Sequence, residues 1–249
     1  MHIGAGIVDV HPGGGIAEIP RFVVSGALVM VGPYADSEQH EMHLLATCGA
    51  GNWQDSAEDE FRFGGVDRAL SSMILQVPSG TKVIDEDCAG WLLTPYEEVG
   101  FRLSLTGDFT VPKCVTSLTT PTGDRLVCGI SGFPSVGSES RRRLRVCRDL
   151  DLLFSGSRYV GWILSSPVEY MTSGWIVAES SSPDSELAEV LRDYLILNTE
   201  HFHETLEEGD AASGDALRQL MARIQTDHGA VAGRRALRDC ITEILDWYF

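Results

Sequence analysis

Lysine is almost missing from this chain of 249 residues: Lys82 and Lys113 are the only two, so arginine supplies the other seventeen of its nineteen bases. Thirty-six acids outweigh them and give a formal charge of -17. A surface of that sign repels phosphate backbones and anionic lipid, which argues against general nucleic-acid or membrane-surface binding. No stretch reaches the eighteen or more apolar residues of a membrane span. No Cys-x-x-Cys pair occurs among Cys48, Cys88, Cys114, Cys128, Cys147 and Cys240; neither a zinc ribbon nor a redox dithiol is written here, and buried free thiols are expected. Internal repeats, heptads and a complete catalytic motif are also missing. The opening residues lack a basic start, and Asp9 and His11 interrupt their apolar run. The expectation is no signal peptide and a cytoplasmic location, or a particle assembled in the cytoplasm.

What is present reads as an α+β protein. From Ile16 to about Ser180, short apolar runs alternate with Gly, Pro, Ser and Asp, the texture of many strands joined by tight turns. The expected strands are Arg21 to Val31, Met42 to Cys48, Ser72 to Val77, Lys82 to Asp85, Gly90 to Thr94, Phe101 to Thr106, Val115 to Thr119, Arg125 to Ile130, Arg143 to Val146, Asp151 to Ser155, Tyr159 to Leu164 and Gly174 to Ala178. With no crossover helices between them, they favour an antiparallel sandwich or barrel. Residues 1 to 15 read as an N-terminal arm ending at the glycines 13 to 15. From Ser181 the periodicity changes to that of about three amphipathic helices. Ser182 is placed to cap the first and Pro183 to open it, and apolar stripes follow at Leu187 to Leu195, Leu217 to Ile224 and Leu237 to Leu245.

Two short strings carry resemblances. The segment CysGlyIleSerGlyPhePro, residues 128 to 134, resembles the nucleophile turn of trypsin-like serine proteases. That resemblance implies a hydrolase with Ser131 as nucleophile, His43 or His40 as base and Asp85 or Asp87 to orient it. The region matching that family's Ala-His-Cys context reads LeuLeuAlaThrCysGly, residues 44 to 49, without a histidine. AspArgAlaLeuSerSer, residues 67 to 72, resembles a βγ-crystallin calcium loop, except that Arg68 occupies the place of the second oxygen ligand and so removes a ligand and adds repulsion.

The remaining polar clusters read more plainly. On a strand, His40 and His43 would face opposite sides. The runs Asp55 to Glu60 and Asp85 to Asp87 read as solvated loops. SerArgArgArgLeuArg, residues 140 to 145, is the one basic cluster on an acidic chain, and Arg141, Arg142, Arg143 and Arg145 call for an anion, most economically an acidic patch on another subunit. Three consecutive aromatics, Trp247, Tyr248 and Phe249, cannot all point inward from one helix turn. Together these features point to a non-enzymatic structural or interaction protein, a subunit of a homo-oligomer or larger assembly such as a virus particle. Its expected partner is itself or another protein, with no cofactor and no metal, and the trypsin-like hydrolase is the alternative.

Overall fold

The strands sort into two layers. In the computed structural model, which describes residues 1–51, 58–105, 107–133, 140–176, 184–225 and 232–249, six strands close into a barrel: β1 (His2–Ile3), β2 (Gly6–Pro12), β9 (Tyr96–Leu103), β12 (Arg141–Cys147), β13 (Leu150–Ser155) and β14 (Arg158–Ser165). Closure comes from a parallel contact between β1 and β14, with His2 opposite Arg158. From the same edge of β14 a spur of three strands extends: β11 (Arg125–Ile130), β10 (Cys114–Thr119) and β8 (Lys82–Val83). The second layer is a six-stranded sheet in the order β15 (Met171–Thr172), β3 (Arg21–Val23), β4 (Leu28–Val31), β7 (Leu70–Gln76), β6 (Glu60–Gly64) and β5 (Thr47–Ala50).

One continuous core joins the layers. Ile3, Val8, Phe101, Leu152 and Trp162 from the barrel strands pack in the same buried cluster as Phe22, Phe61, Phe63 and Met73 of the sheet. Phe61 meets Tyr159 edge to face at 5.4 Å between ring centroids. The Tyr159 hydroxyl donates to Asp59, which also accepts from the Gln76 amide and the Cys114 thiol. Asp59 and Glu60 are therefore buried, which corrects the solvated-loop reading for the end of that acidic run; Asp55 lies outside the described residues.

Four helices cover the C-terminal side: α3 (Ser185–Leu197), α4 (Glu200–Glu207), α5 (Ala211–Gln225) and α6 (Ala232–Tyr248). The cap of α3 is Asp184, whose carboxylate accepts from the Leu187 amide; Ser182 and Pro183 lie outside the described residues. Thr199 caps α4 separately, which splits the expected first helix in two. The stripes at Leu187 to Leu195 and Leu237 to Ile241 face the core.

Four further expectations are corrected. Residues 2 to 12 are not an arm: Ile3 and Val8 are fully buried strand residues of the barrel. Met42 to Cys48 and Gly90 to Thr94 are mainly helical rather than extended, in α1 (Ser37–Ala46) and α2 (Glu86–Leu93). Caps decide both, because Asp36 accepts from the Gln39 amide and Asp85 from the Cys88 amide. Gly174 to Ile176 form bends, and Val177 and Ala178 lie outside the described residues.

Candidate functional site

The principal cleft lies where strands part. β11 pairs with β14 as far as Gly129 opposite Gly161, whereas β1 pairs with the same edge at Arg158. Tyr159 and Val160 sit between the two ladders. Gly161 permits the divergence, since a Cβ there would stand 2.1 Å from the Cys128 carbonyl oxygen. The fork encloses about 650 Å³, within the range of small-molecule sites. His2 and Gly4 form one wall and Ile130 to Phe133 the other, with Ser155 and Ser157 to Val160 completing the lining. Phe133 is buried and stacks on Trp91 of α2 at 5.5 Å, so that wall rests on a second, smaller core under β10, β11, β13 and β14.

Ser131 stands exposed on this cleft, in the turn after β11. The residues that the protease resemblance assigned to it are employed elsewhere. His43 Nε2 bonds the Ser72 hydroxyl at 2.9 Å, His40 bonds Glu60, Asp85 caps α2, and Asp87 lies within α2. Among the described residues, no hydrogen bond joins Ser131 to a histidine.

A second constellation was not legible beforehand. On helix α1, His40 and His43 are three residues apart and share a face, which corrects their expected opposition on a strand. His40 Nε2 lies 3.1 Å from Glu60 Oε1. A bulge in β7 places Ser71 as an extra residue between the pairs Arg62–Ser72 and Phe63–Leu70, and it brings both serine hydroxyls to His43, at 3.3 and 2.9 Å. The buried Tyr34 ring packs against both imidazoles. Burial, with the neighbouring His40, holds the His43 imidazole below its ordinary pKa. No residue of α1 is buried, so these polar contacts hold the helix to the sheet. Arg62 adds to them by donating to the Leu44 and Thr47 carbonyls at the helix C-terminus.

The arginine cluster finds its anions within the chain. Asp151, fully buried, accepts from Arg143 Nε at 2.5 Å and Arg145 Nε at 2.7 Å. Arg142 pairs with Glu97, and Arg145 also lies 3.6 Å from the centroid of the Tyr96 ring. Arg141 lies over the Trp91 ring. Arg141, Arg143 and Arg145 meet acids and aromatics on one face of β12 and Arg142 meets Glu97 on the other, which meets the demand for an anion assigned to a partner. Asp67 accepts from the Ala69 amide in the β6–β7 turn, and Arg68 takes a positive φ there, so the calcium-loop string is a hairpin turn.

At the chain's end, Tyr248 packs on the core and Phe249 lies over Gly214 and Arg218, while Trp247 is 82% exposed. The outer stripe of α6 carries Arg235, Arg238 and Asp239 in its first half and Asp246 in its last turn, with Glu243 and Trp247 on the shoulder. That charge order opposes the helix macrodipole, which favours acids first and bases last. Among the described residues, no three acid, histidine or cysteine side chains gather as a metal site, and no helix is long and apolar enough to cross a membrane.

Comparison with protein-family models, with curated proteins and with solved structures finds no match.

Proposed function

We propose that this protein is a non-enzymatic interaction subunit that assembles with copies of itself through the outer face of α6. The observation that supports this reading is the reversed charge order of that helix. A surplus of bases toward the start, only partly offset by Asp239, and acids at the end cost stability against the helix dipole in an isolated chain. When two copies pair antiparallel about a twofold axis, the same order becomes self-complementary, with Arg238 of each copy facing Asp246 of the other. Among the described residues, Arg238 has only a loose local partner, Asp239 at 3.5 Å with both side chains about half exposed. Trp247 then flanks the contact, and large aromatics are where interface energy concentrates.

Charge reversal tests the arrangement. Arg238→Glu or Asp246→Arg alone puts like charges together twice per dimer and should weaken association by about 1–2 kcal/mol, roughly tenfold in Kd. The double variant restores both pairs and should restore the dimer. Light scattering at tens of micromolar reads the mass. A wild-type monomer under those conditions, or a double variant no better than the singles, overturns the proposal.

A further inference from the structure

We propose that the fork between β1, β11 and β14 binds a small organic anion, its oxyanion head held by Arg158 and His2 and its apolar body against Pro112 and Ile130. Thirty-six acids crowd this chain, yet among the described residues none of those lining the cleft is acidic. Arg158 and His2 are direct register partners across the barrel seam, so two basic side chains project from neighbouring backbone positions. Most arginines here meet a carboxylate, as Arg142, Arg143, Arg145, Arg192 and Arg234 do. Among the described residues, Arg158 and His2 have no ion-pair partner. The Arg158 guanidinium carries a full charge there and the His2 ring offers a second polar group beside it, so an anion seated between them can accept hydrogen bonds from both.

The rest of the lining fits the same class of ligand. Ser131, Ser155 and Ser157 supply hydroxyl donors around the rim, while exposed Pro112 and half-buried Ile130 present apolar surface. A bare ion would leave that apolar surface unused, so the fitting ligand joins a phosphate or carboxylate to a planar or aliphatic body. In this arrangement Ser131 is a hydrogen-bond donor to the head group and not a nucleophile.

Titration calorimetry with phenyl phosphate, benzoate and inorganic phosphate tests the proposal, with backbone amide shifts in NMR to locate the contact. The expected result is saturable binding of phenyl phosphate or benzoate, at least about tenfold tighter than inorganic phosphate, with shifts centred on residues 2–4, 131–133 and 155–160. Which of the two organic probes binds more tightly identifies the head group. Arg158→Gln, at an exposed position, should keep the melting temperature and weaken binding by about tenfold or more. The proposal is overturned if neither organic probe saturates below about 10 mM, a free-energy level at which binding is negligible. It is equally overturned if inorganic phosphate binds as well as the organic probes, if the shifts map elsewhere, or if Arg158→Gln binds unchanged.

Discussion

Replacing Asp59 by Asn tests the electrostatics of the joint between the two β layers. Burial pushes the Asp59 carboxyl up from 3.8 to about 6, and the Gln76, Cys114 and Tyr159 donors offset this only in part. The native state thus holds a proton that the unfolded chain has already released between those two values. Stability must fall as pH rises through that window and stay level above it. Each tenfold change in proton affinity is worth about 1.36 kcal/mol, so a rise from 3.8 to about 6 puts the loss at ~3 kcal/mol. An asparagine keeps an acceptor for the Gln76 amide, its own amide can donate to the Tyr159 oxygen, and it carries no charge to desolvate. Urea denaturation of both proteins at several values from pH 4 to pH 7.5 gives the difference directly. The Asn variant should gain on the wild type steadily through the window and lead by up to ~3 kcal/mol at neutral pH. A difference that is flat with pH, or one that favours the wild type more as pH rises, refutes the reasoning.

Two further outcomes follow from other buried contacts. Asp151→Asn leaves Arg143 and Arg145 without their shared carboxylate and should cost about 3–5 kcal/mol in urea denaturation; a loss under about 1 kcal/mol would show that solvent supports these guanidiniums. Because the folded protein holds His43 below 6.5, chiefly by burial, the unfolded segment binds more protons as pH falls past that value, and the docking of α1 weakens on acidification. Hydrogen exchange of residues 37 to 46 should therefore accelerate between pH 7.5 and 5.5, beyond the intrinsic rate change, and His43→Gln should abolish that acceleration. The same pH response in both proteins would remove His43 from the account.

The fold class was readable because most strands alternate or run apolar between turn residues: β11, at Arg125 to Ile130, lies where expected. Helix α1 was not readable because it buries nothing; Met42 and Leu45 point to solvent and its inward face is two imidazoles, so no 3.6-residue apolar stripe exists. The available signal was the Asp36–Gln39 spacing, a reciprocal cap in which Gln39 also accepts from the Ala35 amide. Gly90 and the apolar residues after it concealed α2 in the same way, with Asp85 as the overlooked start. Ser131 drew attention through its turn, but its neighbours His2 and Arg158 come from strands far apart in sequence, and only the closure register brings them together. The arginine cluster was visible as a string, whereas its counterion Asp151 is set by cross-strand pairing.

The seam between His2 and Arg158 also dictates when this protein can fold. No barrel exists until β14 has been synthesised, so β1 and β2 must wait through the making of nearly every other strand. The second sheet waits still longer at its own edge, because Phe22 on β3 takes Met171 on β15 as its partner. Closures over such separations are slow, since the chain gives up the entropy of a long loop before any contact repays it. During synthesis Ile3, Val8 and Phe22, all fully buried at the end, lie on open strand edges where a neighbouring nascent chain can pair with them. Yield in a producing cell is accordingly set by the race between closure and aggregation, and slower translation at low temperature, or a chaperone that shields the first strands, should raise the soluble fraction without any change to the finished molecule.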